Sequence, residues 1–480
     1  MGTVVLVEEE HVSSSPAAVF AMFGSGRADA GWLFGASCDR VAPGAVVRFT
    51  LPGNPSSGHL GGMLATGRVT AVEDGRRIVI RHEVPWPGRV TCTMSPDGAG
   101  TRVRVVAELD DDAIRWLLRQ GDPALPSQRE PGALMVGVLI SQSGPASVYT
   151  AASVHLARLA AREVNDDGGL DGRSVRVAVA DDGTDPSTGA AELHRLIEVD
   201  GCSVVFTNVT SDTFRAIQPV AAAAGALLVY TPVNEGGRAG DRVLRLGERP
   251  AAQTRRAVPR LMAETGSRRW ALVGSDYCWP RATNACARAA IDRGRGTVAG
   301  EWYAALGTRD FSPMLERIGR SRAELIVSSL VGADEVAFER QFHDSGLRQR
   351  CRTLSLALDE STREHVGDVA AAGLWTVFGY FQQLDTTSNR EFLRRYRDFV
   401  GPVAQPVSSI SESMYEAIHL YAHAVRSVRS TDPTAVGRAF ARARFDGPRG
   451  PVRMNGPARF QQPLYLAESV PGGFAILDQA

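Results

Sequence analysis

The run RWALVGSDYCWPRATNACARAA, residues 269–290, begins as an apolar strand and ends as an amphipathic helix, with Tyr277 and Trp279 in the turn between. Two large rings are costly to leave exposed at such a corner, and they suit the wall of a small-molecule cleft. Hydroxyls recur at similar corners: Ser211 in TNVTSD, and Tyr230 and Thr231 in YTP. Each has a plainer role open to it, Ser211 as a helix cap and Tyr230 as rim packing. Helix starts beside these residues add backbone amides that can donate to a carbonyl or carboxylate oxygen. Rings exclude water while hydroxyls and amides fix orientation, a mix that suits a small, neutral, polar ligand. The ligand-binding set expected on this ground is Ser211, Tyr230, Thr231, Tyr277 and Trp279. Pro280 is expected simply to begin its helix.

Signatures of catalysis are missing from the sequence. It contains no GxSxG, HExxH or P-loop, and no GxGxxG after a strand. We therefore assign no catalytic residue, no cofactor and no metal. His419 and His423 stand one helical turn apart, but two imidazoles do not complete a zinc site. His82, on a short strand, is expected to face solvent. Six cysteines are scattered without a CxxC pair and are expected as thiols; Cys278 reads as a small apolar filler.

The 480 residues carry 53 basic and 53 acidic side chains, so no global field favours nucleic acid or an anionic membrane. Every basic residue is arginine, so arginine singles out no site. MGTVVLVEEEHV lacks the basic start of a secretory signal, and no stretch reaches the roughly 20 apolar residues of a membrane span. After Gly2 come Val5 and Leu6 where a myristoylation signal would have serine or threonine, so lipidation is not expected. The expectation is a cytoplasmic protein without membrane insertion or nucleic-acid binding. Its homo-oligomeric state stays open.

The elements that must position these residues follow from the patterning. Up to about residue 120 the order is a strand, a helix begun at SPAAVFAMF, five short β-branched runs joined by Gly-, Pro- and Asp-rich turns, and a helix at DDDAIRWLLRQ. That order suggests a curved antiparallel sheet wrapped on a helix. Residues 121–133, GDPALPSQREPGA, read as a linker. From 134 to 480, near-continuous apolar strands alternate with amphipathic helices, as in parallel sheets covered on both faces. The strands outnumber one comfortable sheet, so two doubly wound lobes with a hinge are expected, their ligand site at the strand C-termini.

Two resemblances sharpen this reading. The opening SSSPAAVFAMF and the run ATGRVTAVEDGRRIVIRHEVPW to GTRVRVVAEL resemble the α+β helix-grip superfamily of START domains, pollen allergens and Hsp90 ATPase activator homologues, over about residues 3–120. The resemblance implies an apolar cavity. AREVNDDGGLDGRSVRV, SDTFRAIQPVAAAAGALLVYTP, VGSDYCWPRATN and DGPRGPVRM, within residues 134–478, resemble type I periplasmic binding proteins of the branched-chain amino acid and amide class. Among these the cytoplasmic amide sensor of the aliphatic amidase system and the urea and short-chain-amide binders are most similar. The resemblance implies that Ser211, Tyr230, Thr231 and Tyr277 line an amide pocket. Trp279 stands where that group has a second tyrosine. It also implies a small amide-like ligand, with either a regulator protein or a transporter permease as partner. The amino-acid binders of the fold need an acidic partner for an ammonium; Asp334 is the candidate, with surface solvation as its expected role. The expected function is a cytoplasmic sensor. The solute receptor of an ABC-type importer is the alternative, and an enzyme built on a helix-grip cavity is a third reading without a convergent acid–base set.

Overall fold

The computed structural model describes residues 4–23, 36–38, 40–51, 63–84, 87–109, 127–237, 239–401 and 404–479. The chain divides into two compact units, Met1–Ser127 with Gln142–Ser147, and Gln128–Ser141 with Val148–Ala480.

In the first unit β-branched runs separated by tight turns give strands β1 (Val4–Val12), β2 (Ser37–Cys38), β3 (Val46–Leu51), β4 (Met63–Glu73), β5 (Arg77–Val84), β6 (Gly88–Asp97) and β7 (Gly100–Leu109). They form one antiparallel sheet in the order β1-β7-β6-β5-β4-β3-β2. Helix α1 (Pro16–Met22) starts on the Ser15 cap, whose side chain accepts from the Ala18 amide at 3.3 Å. It buries Val19 and, just past its end, Phe23, against Val47, Ile78, Ile80 and Cys92. The expected closing helix at DDDAIRWLLRQ lies outside the described residues. His82 is not on the solvent side. It alternates onto the buried face of Ile78 and Ile80. Gly88 opposite leaves its ring room, since a Cβ there would stand 2.5 Å from His82 Nε2.

Within the stretch read as a linker the described residues begin at Ser127, and Gln128 belongs to the second unit. Its side chain pairs with the Val179 backbone like one more strand residue, and its amide donates to Asp200 at 2.7 Å.

The second unit begins with lobe 1. Apolar runs form β8 (Leu134–Ile140), β9 (Val175–Asp181), β10 (Val204–Asn208), β11 (Leu227–Tyr230) and β12 (Val243–Arg245), all parallel in the order β12-β11-β10-β8-β9. Between them run α2 (Ser153–Asp166), α3 (Pro186–Glu198) and α4 (Ser211–Ala223). Lobe 2 carries α5 (Pro250–Thr265), β13 (Arg269–Ser275), α6 (Cys278–Arg293), β14 (Thr297–Ala304), α7 (Ser312–Ser321), β15 (Leu325–Ser329), α8 (Ala333–Asp344), β16 (Arg352–Ser355), α9 (Glu360–Val366) and β17 (Trp375–Phe378).

The chain then returns to lobe 1 with α10 (Thr387–Val400), α11 (Ser409–Val428) and α12 (Pro433–Phe440). Helix α11 packs on α2 and β10 there. A small antiparallel sheet follows, of β18 (Arg444–Gly447), β19 (Gly450–Met454) and β20 (Phe460–Gln461). The last strands, β21 (Tyr465–Val470) and β22 (Gly473–Gln479), cross back and extend the lobe 2 sheet to β14-β13-β15-β16-β17-β21-β22. Both added pairings are antiparallel, so the lobe 2 sheet is mixed and not wholly parallel as expected. The chain thus passes between lobes three times, at 246–249, 379–386 and 462–464.

Candidate functional site between the lobes

Helix α4 starts at Ser211, but its cap is the preceding Thr210, whose hydroxyl accepts from the Thr213 amide at 3.3 Å. The Ser211 hydroxyl therefore has no capping bond to make. It donates to Glu235 Oε2 at 2.7 Å and lies 3.1 Å from the Tyr230 hydroxyl. Tyr230 ends β11, buried, and donates to the Val209 carbonyl at 3.1 Å. Its ring stacks on Phe214 at 4.0 Å, and the Arg245 guanidinium lies over both rings, at 4.6 Å from Phe214 and 5.7 Å from Tyr230. Thr231 is fully buried, with its hydroxyl donating to the Thr207 carbonyl of the adjacent strand at 3.0 Å.

Lobe 2 faces this group with the start of α6. Tyr277 occupies its N-cap position in extended backbone and is half-buried. Burial pushes its phenol well above the usual range, and Tyr149, Tyr230, Cys278 and Glu235 add to the push. Tyr149, Tyr230 and Glu235 belong to lobe 1, so this phenol looks across the gap. Cys278 Sγ donates to Glu235 Oε1 at 3.6 Å. Burial raises its thiol, and hydrogen bonding to Asp212 with the charge of Glu235 raises it further. Trp279 is buried on the first turn of α6, and its indole N–H has no acceptor among the described residues. Pro280 is buried beside it, within the helix rather than at its first position.

The structure therefore brings Ser211, Tyr230 and Tyr277 together around Glu235. Thr231 turns its hydroxyl into the lobe 1 backbone, and Trp279 lies on the same helix turn as Tyr277. Sequence reasoning missed Glu235. Its signal was position, since it shares the strand-end loop that carries Tyr230 and Thr231. Two arginines border that loop, Arg245 over the rings and Arg249, which donates to the Ala458 carbonyl at 2.7 Å. Behind it, Tyr149 lies near Asp182 of lobe 1 and Asp359 of lobe 2, whose carboxyls burial pushes up to about 7 and about 6. Asp359 also caps α9 through the Thr362 amide at 2.8 Å.

Asp334 does not have the solvated role expected of it. The first turn of α8 is packed inward, and Asp334 is fully buried. It accepts from Ser275 Oγ at 3.0 Å and from the Gly307 amide at 2.9 Å, and burial pushes its carboxyl up to about 7. His419 lies 3.2 Å from Glu163 and stacks on Phe445 at 4.9 Å. Burial works to raise the Glu163 carboxyl, but hydrogen bonds from His419, Tyr415 and Arg395 bring it down to about 2. Among the described residues no three ligating side chains converge as a metal site, and no helix is long and apolar enough to cross a membrane. Among the described residues the six cysteines form no disulfide.

Two doubly wound lobes, three crossings and polar groups at facing strand ends define a hinged binding protein. The family described as periplasmic binding protein matches residues 133–473, and the chain belongs to that family, whose members bind solutes rather than catalyse. The Leu/Ile/Val-binding protein homolog 6 of Brucella melitensis is 29% identical over 223 residues, 45% of this chain and 56% of that protein. The chain thus spans little more than half the length of that relative. Homolog 3 of the same organism is 23% identical over 321 residues, 65% of this chain and 83% of that protein. Among solved structures, an ABC transporter solute-binding protein from R. palustris in complex with benzoate superposes with a TM-score of 0.65, at 22% identity over 72% of this chain and 96% of that one. A leucine-binding protein from Thermotoga maritima gives 0.64, at 17% identity over 72% and 98%. These likenesses show the fold.

Proposed function

We propose that this protein captures a short amide, urea or a related small neutral solute between its lobes and acts as the substrate-binding component of an ABC-type transporter. The observation that carries the ligand class is Glu235, which accepts from Ser211 of lobe 1 and Cys278 of lobe 2. A solute entering there meets a carboxylate that takes N–H donors, and hydroxyls and helix-start amides that give hydrogen bonds to a carbonyl. Arg245 and Arg249 border the same loop, so both signs of charge flank the site, and a dipolar neutral solute disturbs that balance less than an ion. Ser211, Tyr230, Tyr277, Trp279 and, through the backbone it holds, Thr231 are the proposed contacts. A ligand touching both lobes binds the closed form better and shifts the population toward it.

The test is a thermal-shift panel in which each amide is paired with its acid: acetamide with acetate, benzamide with benzoate, together with urea and leucine. Binding to the folded state raises the melting temperature with concentration. Shifts for the amides or urea and none for the acids are expected; shifts for benzoate or leucine alone would overturn the ligand class. The transport role leans on the ABC solute-binding proteins that share the fold.

A second reading is favoured by the separate seven-stranded antiparallel unit, which we propose to be a helix-grip domain. In it the protein is a cytoplasmic sensor whose closure is read by a regulator protein instead of a permease. Cell fractionation with capture of the bound partner separates the two.

A further inference from the structure

One buried arginine links all three crossings between the lobes. Arg449 lies in the turn between β18 and β19 and is inaccessible to solvent. Its Nε donates to Glu412 Oε2 at 2.8 Å and lies 3.1 Å from Glu416 Oε2. Its Nη2 donates to Ser413 Oγ at 2.9 Å, and its Nη1 donates to Ser409 Oγ at 3.3 Å and to Gln462. Glu248 Oε1 stands 3.6 Å from Nη1 and accepts from the Gly379 amide at 2.7 Å and from Ser409 Oγ at 2.6 Å. Glu248 belongs to the first crossing, Gly379 to the second and Gln462 to the third. A Cβ at Gly379 would stand 2.4 Å from Gln462 Oε1 and 2.6 Å from Arg449 Nη1, so a side chain there would have to displace the ends of both.

Three carboxylates face this single guanidinium. Fully ionised they would leave two net negative charges in a dry interior, which burial does not tolerate. Glu412 and Glu416, one turn apart on α11, both bring an Oε2 to the same Arg449 Nε, at 2.8 and 3.1 Å, and one positive charge cannot balance both carboxylates, so the pair must share a proton. We propose that this shared proton sets the hinge: while it is held, Arg449 clamps the three crossings, and its release sets like charges side by side and lets the lobes open more widely. Burial pushes both carboxyls up and Arg449 opposes it, so release falls on the alkaline side of the ordinary carboxyl range. The other groups facing the pair are Glu248, Tyr380 of the second crossing with Glu360 and Arg397 beyond it, and Tyr465 of β21 near Arg449. Across α11, Tyr415 and His419 meet Glu163 and Arg395 of the neighbouring helices.

The inference concerns the crossings and holds whatever the cleft binds. Its test is energy transfer between dyes on azide-bearing side chains replacing the exposed Glu198 of lobe 1 and Arg320 of lobe 2, read in the full chain without added ligand from pH 5 to 9. The mean separation is expected to rise with pH in the otherwise unaltered protein and to stay at its low-pH value in Glu412→Gln and Glu416→Gln. A second reading needs no variant: protection of the Gly379 amide, corrected for intrinsic exchange, should fall several-fold over the same range. A flat separation with constant Gly379 protection in a protein folded by circular dichroism would overturn the proposal. So would the same rise in both glutamine variants.

Discussion

Glu235 is held from two directions, and each bond comes from a different lobe. Replacing it with glutamine keeps the size and removes the charge that draws N–H donors. Hydrogen bonds to charged groups contribute about 1.5–3 kcal/mol, so Glu235→Gln is expected to weaken binding of the best amide from the panel by about 10- to 100-fold, measured by calorimetry. Tyr277→Ala and Trp279→Ala test the two rings separately. Both are expected to abolish the ligand-induced melting shift, but Trp279 is buried and Tyr277 only half so. Trp279→Ala should therefore also lower the ligand-free stability by about 3–5 kcal/mol, as large aromatic truncations do, whereas Tyr277→Ala should cost far less. Equal losses in ligand-free chemical denaturation would mean the phenol is as deeply packed as the indole. The corner was legible in sequence because two rings beside Asp276 and Pro280 have few roles. Glu235, Asp334 and His82 were not, because a charged or imidazole side chain next to polar neighbours reads as solvated until the packing of its face is known.

At the scale of elements, the alternation of apolar runs and amphipathic helices predicted both lobes, since a strand covered on two faces leaves few places for polar residues. The mixed edge of lobe 2 was hidden: LYLAESV and GFAILDQ come after long helices, and nothing local tells a strand which distant partner it will join or in which direction. Caps were legible to within one residue. Thr210, not Ser211, caps α4, and the one-residue difference is what leaves the Ser211 hydroxyl pointing to Glu235. Thr210→Ala is expected to lower stability by about 1 kcal/mol while Ser211→Ala lowers it less and weakens ligand binding more. Denaturant titrations of the two variants, each with and without ligand, separate capping from contact.

For the molecule as a whole, several buried carboxyls lie above their ordinary range: Asp359 to about 6, Asp182 and Asp334 to about 7, and Glu335 to about 8. Burial is the leading cause in each. A carboxyl raised in the folded state holds its proton better there than in the unfolded chain. Its stabilising contribution is complete below the ordinary carboxyl range and is lost as pH climbs through the raised value. Glu163, held down to about 2, acts oppositely and matters only in acid. The melting temperature is therefore expected to be higher near pH 5.5 than at pH 8.5. Asp334→Asn should flatten part of that fall, because an amide can accept from Gly307 and donate to Ser275 as the protonated acid does. A melting temperature that rises across this range would contradict the burial of these groups.

The winding of the chain also bears on how it can be made. Lobe 1 has its five strands by Arg245, yet α11, the helix packed on β10 and α2, arrives only at residues 409–428. Lobe 2 waits for β21 and β22, which arrive only at residues 465–479. Neither half can be completed by a nascent chain before most of the other has left the ribosome, so a polypeptide stopped near residue 250 would present an open apolar sheet to chaperones and proteases instead of a finished lobe.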